Sequence, residues 1–597
     1  MQPTTAILDR IMRNSRKNNE EIFTRLYRYM LRPDLYYLAY NKLYRNKGAA
    51  TKGVDDDTAD GFSEEKINRI IQSLADETYM PKPVRREYIP KKRSSTKKRP
   101  LGLPSFTDKL VQEVLRMILE AVYEPTFSDF SHGFRPHRDC HTALKSLKKE
   151  FTGVSWFIEG DIKGCFDNID HQVLVGVISS KIKDARLIKL IWKFLKAGYM
   201  EDWKYHTTYS GCPQGGIISP LLSNIYLNEL DKFAEKVAKA FYKPRDRVRT
   251  PEYAKIQCKK DYAQKLLKTA TGQKKVELLK RVKSLKSELR KVPCSSKTDK
   301  VMKYIRYADD FIIGVKGDKS DCEHIKRQFS DFISEHLKME LSEEKTLITH
   351  SNQYARFLGY DVRVRRDGKV KPTDRCLKRT LNYTVELNVP FADKIMPFLF
   401  DKAIIKQTHD GKIEYIARKY LYRCTNLEII DTYNSELRGI CNYYSIASNF
   451  TSLNYFAYLM EYSCLKTLAG KHKSTSRKIR EQFRTGSGDW GIPYNTAKGQ
   501  QKYRTFAKYM DCKDSDRFND VIVEYAIRHA GTRTTLEKRL SAGICELCGK
   551  TNTPLAMHHV NKVKNLKGKQ QWEIVMIAKR RKTLAVCKDC HYKIHHP

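Results

Sequence analysis

The segment YIRYADDFIIGV, residues 304–315, limits what this chain can fold into more than any other. Apolar runs flank Asp309 and Asp310, and the pattern predicts two buried strands joined by a tight turn. Two carboxylates side by side in such a turn repel each other, so a cation is their expected partner. An aspartate doublet is also a common ingredient of solvated turns. The surrounding sequence has to decide between the two.

Asp161 closes another apolar run, WFIEGDIKGCFDNIDH. One aspartate at a strand end is an ordinary turn residue. With the 309–310 pair it forms a set in which strand ends from distant segments converge on divalent cations. Mg²⁺ takes hard oxygen ligands, usually a few carboxylates plus substrate phosphates. Two such ions, about 3.5–4 Å apart, suit in-line phosphoryl transfer from an attacking 3′-hydroxyl.

The charge balance points the same way. Lys and Arg number 112 against 69 Asp and Glu, a formal net charge of +43, accompanied by 35 Tyr. A basic surface can simply be solubilising, but an excess this large favours phosphate binding. At 597 residues the chain is expected to form three or more domains. No stretch of about 18 uncharged apolar residues occurs, so no membrane span is expected. The N-terminal residues lack an apolar signal core. A cytoplasmic location is therefore expected; the family resemblance set out below would add association with a bacterial nucleoid or ribonucleoprotein, with an organelle as the alternative. Most of the 15 Cys are scattered singly, as buried thiols of a reducing compartment are.

Along the chain, residues 1–78 read as helical, with a break at Pro33 and a loop before SEEKINRIIQSLADE. From 79 to 105 a Pro- and Lys-rich segment reads as a basic hairpin. TDKLVQEVLRMILEAVYEPTF reads as a long helix capped at Thr107 and stopped at Pro125. VSWFIEGDI, YIRYADD, FIIGVKG and ARFLGYDV are the strand candidates. A Lys-rich insert is assigned to 232–300, where Leu278, Val282, Leu285 and Leu289 share one helical face. Residues 380–470 read as all-helical.

RPLGLPSFTDKLVQ, SHGFRPHRDCHTAL, GCPQGGIISPLLSNIYLNELD, LSEEKTLITH and FLGY lie in this order around Asp161 and the YADD turn. In these motifs the chain resembles the reverse transcriptases encoded by group II introns, the intron maturases. The resemblance implies a multidomain α+β protein: a right-hand polymerase with an antiparallel palm sheet and helical thumb. Its division would be an RNA-binding N-terminal extension (1–78), fingers and palm (79–365), a thumb or X domain (366–470) and a basic DNA-binding region (471–535). It makes Asp161, Asp309 and Asp310 the ligands of two Mg²⁺. Adjacent strand residues point to opposite faces, which favours Asp309 over Asp310 as direct ligand. Phe166 falls at the family's sugar gate, where a ring excludes a 2′-hydroxyl; core packing is its other reading. Gln214 would pack on the incoming dNTP, with Gly215 and Gly216 allowing close approach. Lys91, Lys92 and Arg99 would hold the triphosphate, or the lysines form a plain basic loop. Lys345 would give a proton to pyrophosphate, or is a surface lysine.

The C-terminal segment 536–597 carries CELCGKTNTPLAMHHV and RRKTLAVCKDCHYKIHHP. Cys545, Cys548, Cys587 and Cys590 form two CxxC pairs, which suit structural Zn²⁺. A segment this short makes a poor core, so a metal staple is physically sensible. His591 and His595 are four apart, on one face of a helix. With His558 they would bind a second divalent ion, leaving His559 as general base. This arrangement resembles the ββα-metal HNH nucleases, although Lys582 and Thr583 stand where many of those carry Asn. A zinc knuckle that only grips nucleic acid is the alternative.

Together the resemblances imply a protein that copies RNA into DNA, helps its intron RNA to splice, and nicks target double-stranded DNA during intron mobility. The alternatives are a splicing factor with inactive polymerase or nuclease sites, or an enzyme copying RNA into RNA. Phe166 and Ala308 speak against the last, since viral RNA polymerases favour a small gate residue and GDD.

Overall fold

The computed structural model describes residues 4–90, 98–212, 215–244, 249–292, 294, 299–366, 370–373, 376–379, 383–486, 488–496, 499–513 and 535–596. At its centre is an antiparallel sheet in the order Val301–Tyr307, Asp310–Lys316, Trp156–Asp161, Ile348–His350. Its two middle strands carry apolar runs, Phe311–Ile313 and Trp156–Ile158, because both faces are covered. Phe311, Ile313 and Val315 enter one core with Ile158 and Tyr304, while Ile312, Ile305 and Phe157 enter a second. Alternation at period two thus serves two cores from one run. Helices Ser219–Phe241 and Lys319–Glu335 cover the first face, where Phe233 stacks on Phe332 at 4.1 Å. Helix Cys140–Glu150 covers the other with Ala143, Leu144 and Leu147.

The 79–105 segment is a hairpin, Val84–Pro90 with Lys98–Leu103, extended by Tyr199–Glu201 and Lys204–His206. Helix Phe106–Tyr123 follows, and helices Thr4–Lys17 and Pro33–Leu43 pack on it. Its cap is Ser105, whose Oγ accepts from the Asp108 amide at 3.2 Å, not Thr107. The Thr107 amide and hydroxyl are instead taken by Asp57, at 2.8 and 2.6 Å.

Helix Ser219–Phe241 runs unbroken through the position, 232, at which the insert was expected to start. The excursion begins after it and returns to the same place, because Lys243 and Lys300 exchange backbone hydrogen bonds of 2.9 and 3.1 Å. Between them stand helices Pro251–Leu267 and Gly272–Leu289, joined by a small core of Ala263, Val282 and Leu285. ARFLGYDV is not one strand but two, Ala355–Phe357 and Tyr360–Val364. Leu358 and Gly359 both have positive φ, which makes a two-residue hairpin turn.

Residues 380–470 are not all-helical. Val385–Asn388 pairs with Tyr360–Val364, and Ile405–Gln407 pairs with Ile413–Tyr415. Val385 and Leu387 point into the core at period two, a pattern too short to outweigh the helical sequence around it. Helices Asn426–Tyr443 and Leu453–Lys471 dominate the layer, and Ile479, Trp490, Ile492 and Ala507 join the same core.

The C-terminal module is a hairpin, Leu555–His559 with Thr583–Cys587, followed by helix Lys588–His595. A third strand completes it from the other end of the chain. Phe62–Ser63 pairs antiparallel with Leu555–His559, matching Phe62 to Met557 and Ser63 to Ala556.

Candidate functional site

Asp161 ends its strand directly opposite Asp310, the first residue of the next strand. Ala308 and Asp309 form the two-residue turn that links Tyr307 to Asp310. Asp309 therefore lies in the turn and not on a strand, so strand alternation gives no ground for ranking it above Asp310. Ala308 takes φ +57°, a left-handed conformation that costs an L-residue about 1–2 kcal/mol.

A buried network holds that turn. Arg306 is fully buried, and its guanidinium pairs with the equally buried Asp231 at 2.6 and 2.7 Å. It also donates to the Ala308 carbonyl at 2.8 Å, to Ser131 Oγ at 2.8 Å and to Asn224 Oδ1 at 3.2 Å. Asn224 in turn donates to the Gly133 carbonyl at 2.7 Å. A Cβ on Gly133 would lie 2.3 Å from the Ala308 nitrogen, so only glycine lets the two loops meet. Sequence reasoning passed over these residues. The available signal was a charged Arg306 inside an apolar strand, which has to be paired when buried.

The electrostatics of the turn call for a cation. Loss of water from its inner side raises the pKa of Asp310 to about 7, helped by the charge of Asp309 and the contact with Asp161. Its outer edge remains open to solvent. Asp309 is also raised, first by burial, while Lys345 and Arg99 pull it down. Lys345 Nζ donates to Asp161 Oδ2 at 2.6 Å, so this lysine reaches into the aspartate cluster.

Arg99 lies exposed on strand Lys98–Leu103, within electrostatic range of Asp309. Phe166 is half-buried after Asp161, with its ring edge-on to Phe134 at 6.1 Å. Its carbonyl accepts from the Cys212 amide at 2.7 Å, which ties the loop of Gly211 and Cys212 to this turn. Gly215 has φ +113°, and a Cβ there would strike the Gly102 carbonyl at 2.4 Å. The close approach seen at Gly215 is to the Gly102 backbone of the chain itself. Lys91, Lys92 and Gln214 lie outside the described residues.

At the other end of the chain, the sulfurs of Cys545, Cys548, Cys587 and Cys590 all lie within 4.8 Å of one another. Burial opposes ionisation of Cys545, but amide hydrogens of Cys548, Cys587 and Leu547 bring its thiol down to about 6. Burial and the neighbouring thiols push Cys587 and Cys590 the other way, so it is the shared geometry of the four sulfurs that suits a metal. No disulfide occurs among the described residues.

His558, His591 and His595 form a second cluster, joined by Asp60, again with candidate ligand atoms within 4.8 Å. His558 is buried; its Nδ1 lies 3.2 Å from Asp60 Oδ1, while its Nε2 meets no hydrogen-bond partner. His591 Nε2 likewise lies 3.2 Å from Asp60 Oδ2. Imidazoles gathered on one carboxylate, with a buried ring nitrogen left over, fit a cation. His559 is buried too, and its Nε2 lies 3.1 Å from the Tyr44 carbonyl. Burial lowers its pKa. Thr583 stands opposite His559 in the hairpin, where its hydroxyl accepts from Arg539.

A mixed α/β catalytic domain with aspartates at a hairpin turn, followed by a small Cys/His module, defines an enzyme of nucleic-acid synthesis and cleavage. The comparisons say which kind. Three family models match: reverse transcriptase (RNA-dependent DNA polymerase) over 89–260, type II intron maturase over 382–538, and AI2M/AI1M-like HNH endonuclease over 545–591. The group II intron-encoded protein LtrA of Lactococcus lactis subsp. cremoris is 59% identical over the full length of both chains. An uncharacterized 91 kDa protein in the cob intron of Schizosaccharomyces pombe is 36% identical over 95% of this chain and 69% of its own. Protein YkfC of Escherichia coli is 33% identical over 56% of this chain and 82% of its own.

The chain belongs to the group II intron-encoded proteins. It is an RNA-directed DNA polymerase with a maturase region and an HNH endonuclease domain. Among the described residues no helix is long and apolar enough to cross a membrane.

Proposed function

We propose that the central sheet is the palm of a right-hand polymerase, with the 84–103 hairpin in its fingers and the 426–471 helices in its thumb. Asp161, Asp309 and Asp310 would hold two Mg²⁺ at the growing DNA end. The observation that carries this reading is the direct pairing of Asp161 with Asp310 beneath the 308–309 turn. Asp310 keeps its proton toward neutral pH because Lys345 only partly offsets the crowding of the aspartates, and such a group fits a divalent cation. Bound there, the two ions stabilise charge on the attacking and leaving oxygens.

The chain's own residues do the rest. Arg306 and Asp231 fix the turn, Arg99 and Lys345 supply positive charge for the triphosphate, and Lys345 is placed to protonate departing pyrophosphate. Phe166 walls the sugar pocket and selects deoxynucleotides. Lys91, Lys92 and Gln214 complete the nucleotide site in this reading. On an RNA template with Mg²⁺, wild-type protein extends a primer with dNTPs and Asp309→Ala does not. Equal extension by both would remove these aspartates from the mechanism.

In the C-terminal module the four cysteines would hold structural Zn²⁺, and His558, His591 and His595 a divalent ion for cleavage. That ion stabilises the scissile phosphate and leaving oxygen when bound. His559 takes the proton of the attacking water once its ring is free of Tyr44. We read the module as nicking target double-stranded DNA, so that the polymerase copies intron RNA from the new 3′ end. The N-terminal helices and the basic 471–535 region would contact intron RNA and DNA in a ribonucleoprotein, in the cytoplasm at the nucleoid. His559→Ala is expected to abolish nicking while zinc content stays unchanged. Undiminished nicking overturns the role of His559.

A further inference from the structure

Asp60 belongs to the N-terminal part of the chain, yet its carboxylate lies among the nuclease histidines. Oδ1 is 3.2 Å from His558 Nδ1, and Oδ2 is 3.2 Å from His591 Nε2 and 2.8 Å from His595 Nε2. The His559 amide, 499 residues along the chain, donates to Asp60 Oδ1 at 2.7 Å. The surrounding backbone fixes this placement. Gly61 N–H donates to the Met557 carbonyl at 3.0 Å, and the next two residues pair as a strand with the nuclease hairpin. Phe62 is buried with its ring stacked on Tyr40 at 3.9 Å. Lys588 reaches back to Glu65 at 3.0 Å.

We propose that Asp60 is the fourth ligand of the nuclease cation, and that the docked module is thereby closed to DNA. The inference rests on the assignment of His558, His591 and His595 to that ion. Four ligands at about 2.0–2.2 Å make a complete tetrahedral shell, whereas catalytic centres keep one position open for water or substrate. Here the chain fills the place a scissile phosphate needs. The buried Nε2 of His558, which meets no hydrogen-bond partner, supplies a second, independent sign that an ion belongs at this point. The same N-terminal segment also covers the base, since His559 faces the Tyr44 carbonyl and packs edge-on against the Tyr44 ring. Both groups required for cleavage are therefore engaged by one neighbour. Three imidazoles and one carboxylate suit a borderline transition-metal ion better than Mg²⁺. Cleavage then requires the 555–559 strand to part from Phe62–Ser63 and the phosphate to displace Asp60.

The test uses full-length protein with zinc at the four cysteines and excess Mg²⁺ to occupy the palm. Co²⁺ is titrated and its visible spectrum followed in wild type, Asp60→Ala, Asp60→Asn and His591→Ala, with primer extension confirming that each is folded. The expected result is a loss of Co²⁺ affinity of about tenfold or more in both Asp60 variants. Their nicking of duplex DNA at saturating Co²⁺ should be faster than that of wild type. Affinity within twofold of wild type in both Asp60 variants, with the signal lost in His591→Ala, overturns Asp60 as a ligand and leaves the histidine assignment standing. A signal that survives His591→Ala overturns the assignment beneath it. Weakened affinity without faster nicking overturns the closure.

Discussion

At the scale of single residues, Arg306 shows how the 308–309 turn is held from within by a buried ion pair. Removing one partner of a fully buried ion pair costs about 3–5 kcal/mol, because the other charge stays behind unpaired. Arg306→Ala should lower stability by about that amount in denaturant titrations and abolish primer extension, since the Ala308 carbonyl loses its anchor. Ala308→Gly should act the other way. Relief of the left-handed strain is expected to raise unfolding free energy by about 1 kcal/mol. Asp310 carries a pH dependence whose sign follows from its raised pKa. The folded carboxyl keeps its proton up to about pH 7, against 3.8 for an ordinary aspartate. In Mg²⁺-free protein the native state thus binds more protons than the unfolded chain between these values. The contribution of Asp310 to stability therefore falls as pH rises through that window. Mg²⁺ must displace the same proton, so the Mg²⁺ needed for half-maximal extension should climb as pH drops below about 7 and level off above it.

At the scale of elements, much was legible where periodic pattern and local chemistry agreed. The aspartate hairpin, the basic 84–103 hairpin and the paired CxxC sequences each announce themselves within a few residues. Elements decided by distant partners were not readable. Thr107 looked like a cap until Asp57 took its donors, and the strand at 385–388 exists because 360–364 offers it an edge. Phe62–Ser63 is the extreme case, since two residues carry no period and their partner lies near the other terminus. Asp60 was missed for the same reason. The Lys-rich helical hairpin yields a prediction of its own. Its ends meet at the Lys243–Lys300 bridge, and its small core is self-contained. Replacing residues 249–294 by a short turn should leave the melting temperature within a few degrees. It should also flatten the salt dependence of RNA binding, as fewer lysines release fewer counterions.

At the scale of the whole molecule, the net charge of +43 is spread over a surface that must meet both a folded RNA and a DNA duplex. Binding of structured RNA should weaken by about 10³-fold or more between roughly 50 and 200 mM salt, as a filter-binding series would show. With zinc at the four clustered cysteines, as proposed above, a chelator should expose the 545–595 module to protease while hydrogen exchange in the central sheet stays slow. Finally, the strand shared by the two ends of the chain sets a clock. During translation at about 5–20 residues per second, Asp60 leaves the ribosome roughly 25–100 s before His559, which lies 499 positions later, and longer still before His591 and His595. Through that interval the N-terminal edge stands bare, and polymerase domains finish folding beside it. A ribosome that stalls between the two matched regions leaves the copying region made without its HNH module, so synthesis order alone separates the two activities.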